Sequence, residues 1–197
     1  MEYAVRTVSK PKDVYDLVLQ LRDAVEEADV HWKLTTPQWF VLCAAMDAVE
    51  DTQQAVEAYT EKRPDTEKSR PKGERYLRAY GTLQVLFVQQ DATKNLCDAL
   101  SAPNLWDATP VEGIRELRTI SVGHPTLRRK TQTRPQSSHF IVQMSLGEYG
   151  FQVHSVDSAG NRSYQTVPIP SLAATQSAHI RATLEKAIEH IAKKWPH

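Results

Sequence analysis

Cysteine is scarce in this chain of 197 residues: there are two, Cys43 and Cys97, far apart in sequence. That excludes a disulfide framework and a paired-cysteine zinc site. Both sit in apolar stretches, WFVLCAAM and NLCDAL, and read as reduced thiols of a protein kept in a reducing compartment. Glycine is also sparse, at seven residues. None builds a GxxxxGK[ST] or a strand-coupled GxGxxG, so a standard nucleotide loop is absent. HExxH and GxSxG are missing too. Charge of one sign is lacking overall, with 24 Lys+Arg against 24 Asp+Glu, so any affinity for a polyanion must be local. No apolar run is long. The longest, Trp39 to Met46, falls far short of a membrane span, and MEYAVRTVSKPKD has no apolar core of a signal peptide. The chain therefore reads as soluble and cytoplasmic, with no membrane partner.

What is present is ordinary globular material: 41% apolar and 24% charged residues, in a length that suits one domain over residues 1–197. EYAVRTV, residues 2–8, alternates and predicts a short strand. Ser9 before Pro11 opens a helix from about Lys10 to His31, with Val14, Leu17, Val18, Leu21 and Val25 at helical spacing. Thr36 as N-cap and Pro37 at the first position open a second helix. Residues 62–73, rich in charge and proline, predict a flexible loop. A third helix spans about Glu74 to Leu100; Gly81 within it predicts a close helix–helix approach, and Tyr76, Tyr80 and Phe87 read as core. Thr109, Pro110 and Glu112 form a capping box for a short fourth helix, which Gly123 and Pro125 stop. Residues 126–138 predict a second flexible loop. The period then changes to two: HFIVQMS, FQVHSVD and SYQTVPI predict a β-meander at about 139–168. A last helix follows, capped by Ser171. The fold class expected is mainly α, a helical bundle with a small antiparallel meander inserted before the C-terminal helix.

The charges are distributed unevenly. No acid occurs between Glu116 and Glu148, a window holding Arg118, Arg128, Arg129, Lys130 and Arg134 with His124 and His139. Such a segment suits a phosphate backbone, and it equally suits a solvated loop. Within it Arg118 lies near the end of the fourth helix and His124 just past it. Arginine offers a permanent charge and a planar fork to phosphate oxygens, and histidine moves protons near neutrality. Together they suit cleavage of RNA without a metal. The plain alternative has His124 binding the helix end and Arg118 pairing with Glu112, Glu116 or an acid of the second helix. Arg134 and His139 form a second such pair, at a loop-to-strand junction rather than a helix end. Gln84, Gln89, Gln90 and Asp91 make an unusually polar patch on the third helix, suited to a cleft or a seam. Tyr149 and Phe151 are candidate base-stacking rings, although a small sheet needs Phe151 for its own core.

This junction, Arg118-Thr-Ile-Ser-Val-Gly-His124, resembles the signature of the HEPN superfamily, helical-bundle proteins marked by an Arg, four to six residues, then a His. The resemblance covers the bundle, residues 10–125 and 171–195, by architecture. It implies a metal-independent endoribonuclease, of a kind found among toxins and antiviral effectors. It further implies a homodimer whose Arg118 and His124 meet in a composite cleft, RNA guided by Arg128, Arg129, Lys130 and Arg134, no cofactor, and for a toxin a neutralising antitoxin. Thr119 departs from the Asn, Asp or His common after the Arg in that family. Its presence favours the alternative, a non-catalytic helical dimer acting as a protein- or nucleic-acid-binding scaffold.

Overall fold

The structure, a computed structural model, describes residues 13–60, 70–123, 136–147 and 150–196. The strand expected at 2–8 and most of both expected loops lie outside these residues. The described chain is a helical bundle carrying a small antiparallel sheet before its last helix, as the residue periods predict.

Helix α1, Val14–Glu27, opens on Asp13, whose carboxylate accepts the Asp16 N–H at 2.9 Å. The cap is therefore Asp13, not the Ser9 region: a carboxylate satisfies an orphan amide and also favours the positive helix end. The helix stops where Asp29 turns left-handed, at φ 50°, and a 3₁₀ turn follows at Val30–Trp32. Helix α2, Thr36–Thr60, is capped one residue earlier than expected. Thr35 and Gln38 form a reciprocal capping box: the Thr35 N–H donates to Gln38 Oε1 at 3.1 Å, and the Gln38 N–H to Thr35 Oγ1 at 3.5 Å. Pro37 then sits in the first turn, where its missing N–H costs nothing.

Helix α3, Lys72–Ala99, runs antiparallel beside α2 and is the backbone of the bundle. Gly81 is exposed, and a methyl group there would meet nothing within 4 Å. The close approach expected at Gly81 is not formed: Gly81 lines an open groove between the two helices with Ala55, Ala58 and Tyr59. Helix α4, Glu112–Arg118, is preceded by a 3₁₀ turn at Thr109–Val111. The expected Thr109–Glu112 box does not form. Asp107 instead accepts the Thr109 N–H at 2.9 Å, a local turn that outcompetes the cap. Helix α5, Ile169–Lys194, begins after Pro168 with no side-chain cap, so Ser171 is an interior residue.

The sheet has the order β1-β2-β3, with β1 Ser137–Ile141, β2 Phe151–Asp157 and β3 Arg162–Val167, all antiparallel. HFIVQMS does not continue as strand to Ser145. It breaks into a 3₁₀ turn, Gln143–Ser145, because the Ser145 hydroxyl donates to Val142 O at 2.6 Å and accepts the Gln152 N–H at 2.7 Å. Gly150, at φ 134°, starts β2 so close to β3 that a β-carbon would lie 1.8 Å from the Val167 carbonyl oxygen.

One apolar cluster joins α1, α2, the C-terminal half of α3 and α5 around Leu17, Leu21, Leu42, Leu96, Ile180 and Leu184. Each such side chain, fully buried, contributes about 1.5–3 kcal/mol before the entropic cost. A second cluster seats the sheet, through Ile141, Phe151, Val153 and Val167, on Leu83, Leu117 and Ile120. That seating fixes where the end of α4 lies. Among the described residues no helix is long and apolar enough to cross a membrane.

Candidate functional site

The site begins with the way α4 ends. After Arg118 the helix widens into a π turn, Thr119–Gly123, occupying the five residues between Arg118 and His124. Such turns are rare and cluster at functional sites. Part of the local cause is visible. The Thr119 hydroxyl donates to the Arg115 carbonyl at 2.9 Å, competing with the backbone for that acceptor. Ile120 is pulled into the apolar cluster under the sheet. Ser121 is 1% exposed, and its hydroxyl has no hydrogen-bond partner among the described residues.

Arg118 is half-buried and held on two sides. Its Nε and one terminal nitrogen both donate to Gln84 Oε1 of α3, at 3.1 and 3.0 Å. Its guanidinium carbon lies 4.7 Å from the centre of the Phe87 ring, a cation–π contact. Arg115 shares that ring at 4.4 Å and pairs with Asp91 at 2.7 Å. The second terminal nitrogen of Arg118 is aimed at Gly123, where a β-carbon would stand 3.1 Å from it. Glycine there lets the fork lie flat against the turn. None of Glu112, Glu116 or an α2 acid is the partner of these described contacts. The anchor is a neutral amide, which fixes the plane of the guanidinium without neutralising its charge.

His124, Arg128, Arg129, Lys130 and Arg134 lie outside the described residues. Of the candidate site residues, Arg118 alone is therefore placed. The polar patch on α3 divides by role. Gln84 and Asp91 hold the two α4 arginines, whereas Gln89 and Gln90 are fully buried. Gln176 of α5 links that pair, donating to Gln89 Oε1 at 2.8 Å and accepting from Gln90 at 2.7 Å. Gln89 in turn donates to Gln53 of α2 at 3.2 Å. Phe87 is not core, contrary to expectation. It is half-buried, with two guanidinium groups over its face, and its spacing from Gln84 on one helix face was the signal available for it. Tyr76 packs on the second cluster and Tyr80 is partly exposed. Phe151 is 2% exposed and belongs to the core, and Tyr149 lies outside the described residues.

On the other side of α4, Glu116 and Ile120 face the polar end of the sheet across a cleft of about 380 Å³ that also includes His139, Ser155, Asp157 and Arg162. The His139 ring is clasped between hydroxyls, Nδ1 at 2.7 Å from Ser155 and Nε2 at 2.9 Å from Ser137. The Asn161 side-chain amide, with backbone N–H groups of the same turn, holds the Asp157 carboxyl below the usual carboxylate range.

No family profile, no curated protein and no solved structure matches this chain. Its function is therefore argued from the site.

Proposed function

We propose that the chain is a metal-independent endoribonuclease of HEPN type, working as a homodimer on RNA as a toxin or antiviral effector. The observation that carries the reading is the presentation of Arg118. Its charged fork is held flat at the end of α4 by Gln84 and Phe87, against Gly123, the residue directly before His124 in sequence. In this mechanism His124 takes the proton from a ribose 2′ hydroxyl. The 2′ oxygen attacks the adjacent phosphorus while the bond to the 5′ oxygen breaks, and the leaving oxygen receives a proton. Arg118 stabilises the charge that grows on the phosphoryl oxygens. The products carry a 2′,3′-cyclic phosphate and a 5′ hydroxyl. Arg128, Arg129, Lys130 and Arg134 supply the attraction for the RNA backbone.

The test is cleavage of RNA in the presence of chelator, comparing the wild-type chain with His124→Ala and Arg118→Ala at equal folding by circular dichroism. The expected result is cyclic-phosphate ends from the wild type and loss of cleavage in both variants. Wild-type inactivity across varied RNAs, or cleavage untouched by His124→Ala, would overturn the reading.

One observation favours the second reading, a non-catalytic scaffold. The Thr119 hydroxyl is turned into its own helix and offers the site no orienting group. That reading expects the double variant Arg118→Ala, His124→Ala to keep its partner while remaining folded.

A further inference from the structure

A cavity of about 490 Å³ opens between the last turns of α1 and the first half of α2. Its size is that of a small-ligand pocket. The way the two helices are joined shapes it. Asp29 leaves α1 with a left-handed backbone, at φ 50°, a conformation uncommon outside glycine that clusters at ligand sites. Val30 is fully buried and pins the following 3₁₀ turn to the core, and His31 beside it lines the cavity. The floor is apolar: Val25 and Met46, 4% and 3% exposed, belong to the main cluster. Trp39 forms a half-buried aromatic wall, with the His31 ring 5.8 Å away. At 4.6 Å from His31 stands the Trp32 ring, 80% exposed and outside every core cluster described above.

The charges on the lining give the sign of the occupant. Glu26 and Asp29 both line the cavity, and neither carboxylate has a hydrogen-bond or ion-pair partner among the described residues. The arginine of the lining, Arg22, is already shared between Asp47 at 2.7 Å and Glu50 at 3.2 Å. An anionic ligand would meet two uncompensated acids and a cation that is paired twice. An inorganic cation would want a cage of oxygens, which two carboxylates over an apolar floor do not make. An ammonium group on an apolar body matches every wall. The body lies on Val25 and Met46, the charge meets Glu26 and Asp29, and indole is the ring that attracts cations most strongly. We infer that this cavity binds a small organic cation of that kind. The site is separate from Arg118 and does not depend on the nuclease reading.

Cys43 lines the cavity, half-buried, and reports its occupancy. Cys97 is fully buried, so the folded chain offers a maleimide one accessible thiol. Phenethylamine, phenethyl alcohol and hydrocinnamate share an aromatic body and are cationic, neutral and anionic at neutral pH. The amine is expected to slow alkylation of Cys43 saturably and to give a binding isotherm by calorimetry. The alcohol is expected to bind about tenfold more weakly, having lost both the cation–π and the carboxylate attraction, and the acid more weakly still. Glu26→Gln and Asp29→Asn are each expected to weaken the amine about threefold; asparagine tolerates the left-handed backbone. Unchanged binding of the alcohol in these variants shows that the cavity itself is intact, and circular dichroism melts show that each is folded. The inference is overturned by an amine that neither protects Cys43 nor binds, by an alcohol or acid that matches it, or by folded carboxamide variants that hold the amine as the wild type does. None of these readouts uses RNA, so failure of the cavity and failure of the nuclease are seen separately.

Discussion

A neutral amide is an uncommon choice for holding an arginine at a helix end. A carboxylate in place of Gln84 would grip the guanidinium more tightly but cancel the charge that a phosphate needs. Gln84 and Phe87 fix the plane of the fork and leave its charge in place, which suits transient service to an anion better than permanent structure. Gly123 is the complementary device. Its backbone needs no left-handed conformation, so Gly123→Ala keeps the turn and, by ordinary helix propensity, costs no stability. The new methyl would stand 3.1 Å from Arg118 and push the fork aside. Displacement of a catalytic group on that scale costs about tenfold to a hundredfold in rate. On the nuclease reading proposed above, the expected outcome of Gly123→Ala is thus a cleavage rate lowered by that factor beside an unchanged thermal melt. Cleavage equal to wild type would show that the packing of Arg118 on Gly123 is incidental.

At the level of elements, periodicity carried most of the fold. The helical spacings of α1, α3 and α5 and the alternation of β2 are direct records of which side chains are buried, and β2 coincides with FQVHSVD. The ends were harder to read, because several nearby hydroxyls and carboxylates compete for each cap. Thr35 displaced Thr36, Asp13 displaced Ser9, and Asp107 intercepted Thr109. The π turn was not legible, since nothing in Thr-Ile-Ser-Val-Gly distinguishes it from an α-helical turn by pattern. Its formation depends on Ile120 being drawn beneath a sheet that comes later in the chain. The facing of β1 was also hidden. His139 and Phe140 are neighbours, and only the register with β2 decides which of them faces out. Arg118 was identifiable from the sequence, but its anchors, more than thirty positions upstream on α3, were not.

For the molecule as a whole, the buried amides of Gln53, Gln89, Gln90 and Gln176 join α2, α3 and α5 between the apolar clusters. Replacing Gln176 by Leu leaves Gln89 Oε1 without its donor and Gln90 Nε2 with only its long 3.5 Å contact to the Val111 carbonyl. Each stranded polar group costs about 1–3 kcal/mol, so urea unfolding of Gln176→Leu is expected to show a loss of roughly 2–4 kcal/mol. An unchanged midpoint would mean that the network is dispensable. Cys97 gives a pH signature of the same core. Burial, aided by Asp98, pushes its thiol up to about 12 from an ordinary 9.0. Above pH 9 the unfolded chain releases this proton while the folded chain retains it. The thiol's contribution is therefore intact below pH 9 and is lost as pH rises toward 12. The expected observation is an alkaline decline in stability that Cys97→Ala reduces. A decline identical in that variant would assign it to other groups.

Helix α5 has one more consequence. Ile169 belongs to the cluster under the sheet, Ala173 to the small cluster beside α4, and Ile180, Leu184, Ala187 and Ile191 to the main bundle. Every apolar cluster among the described residues is thus missing a wall until residues 169–194 have left the ribosome. The earlier helices emerge with their greasy stripes uncovered, and a nascent chain stalled before that point would be a client for chaperones rather than a partly built protein.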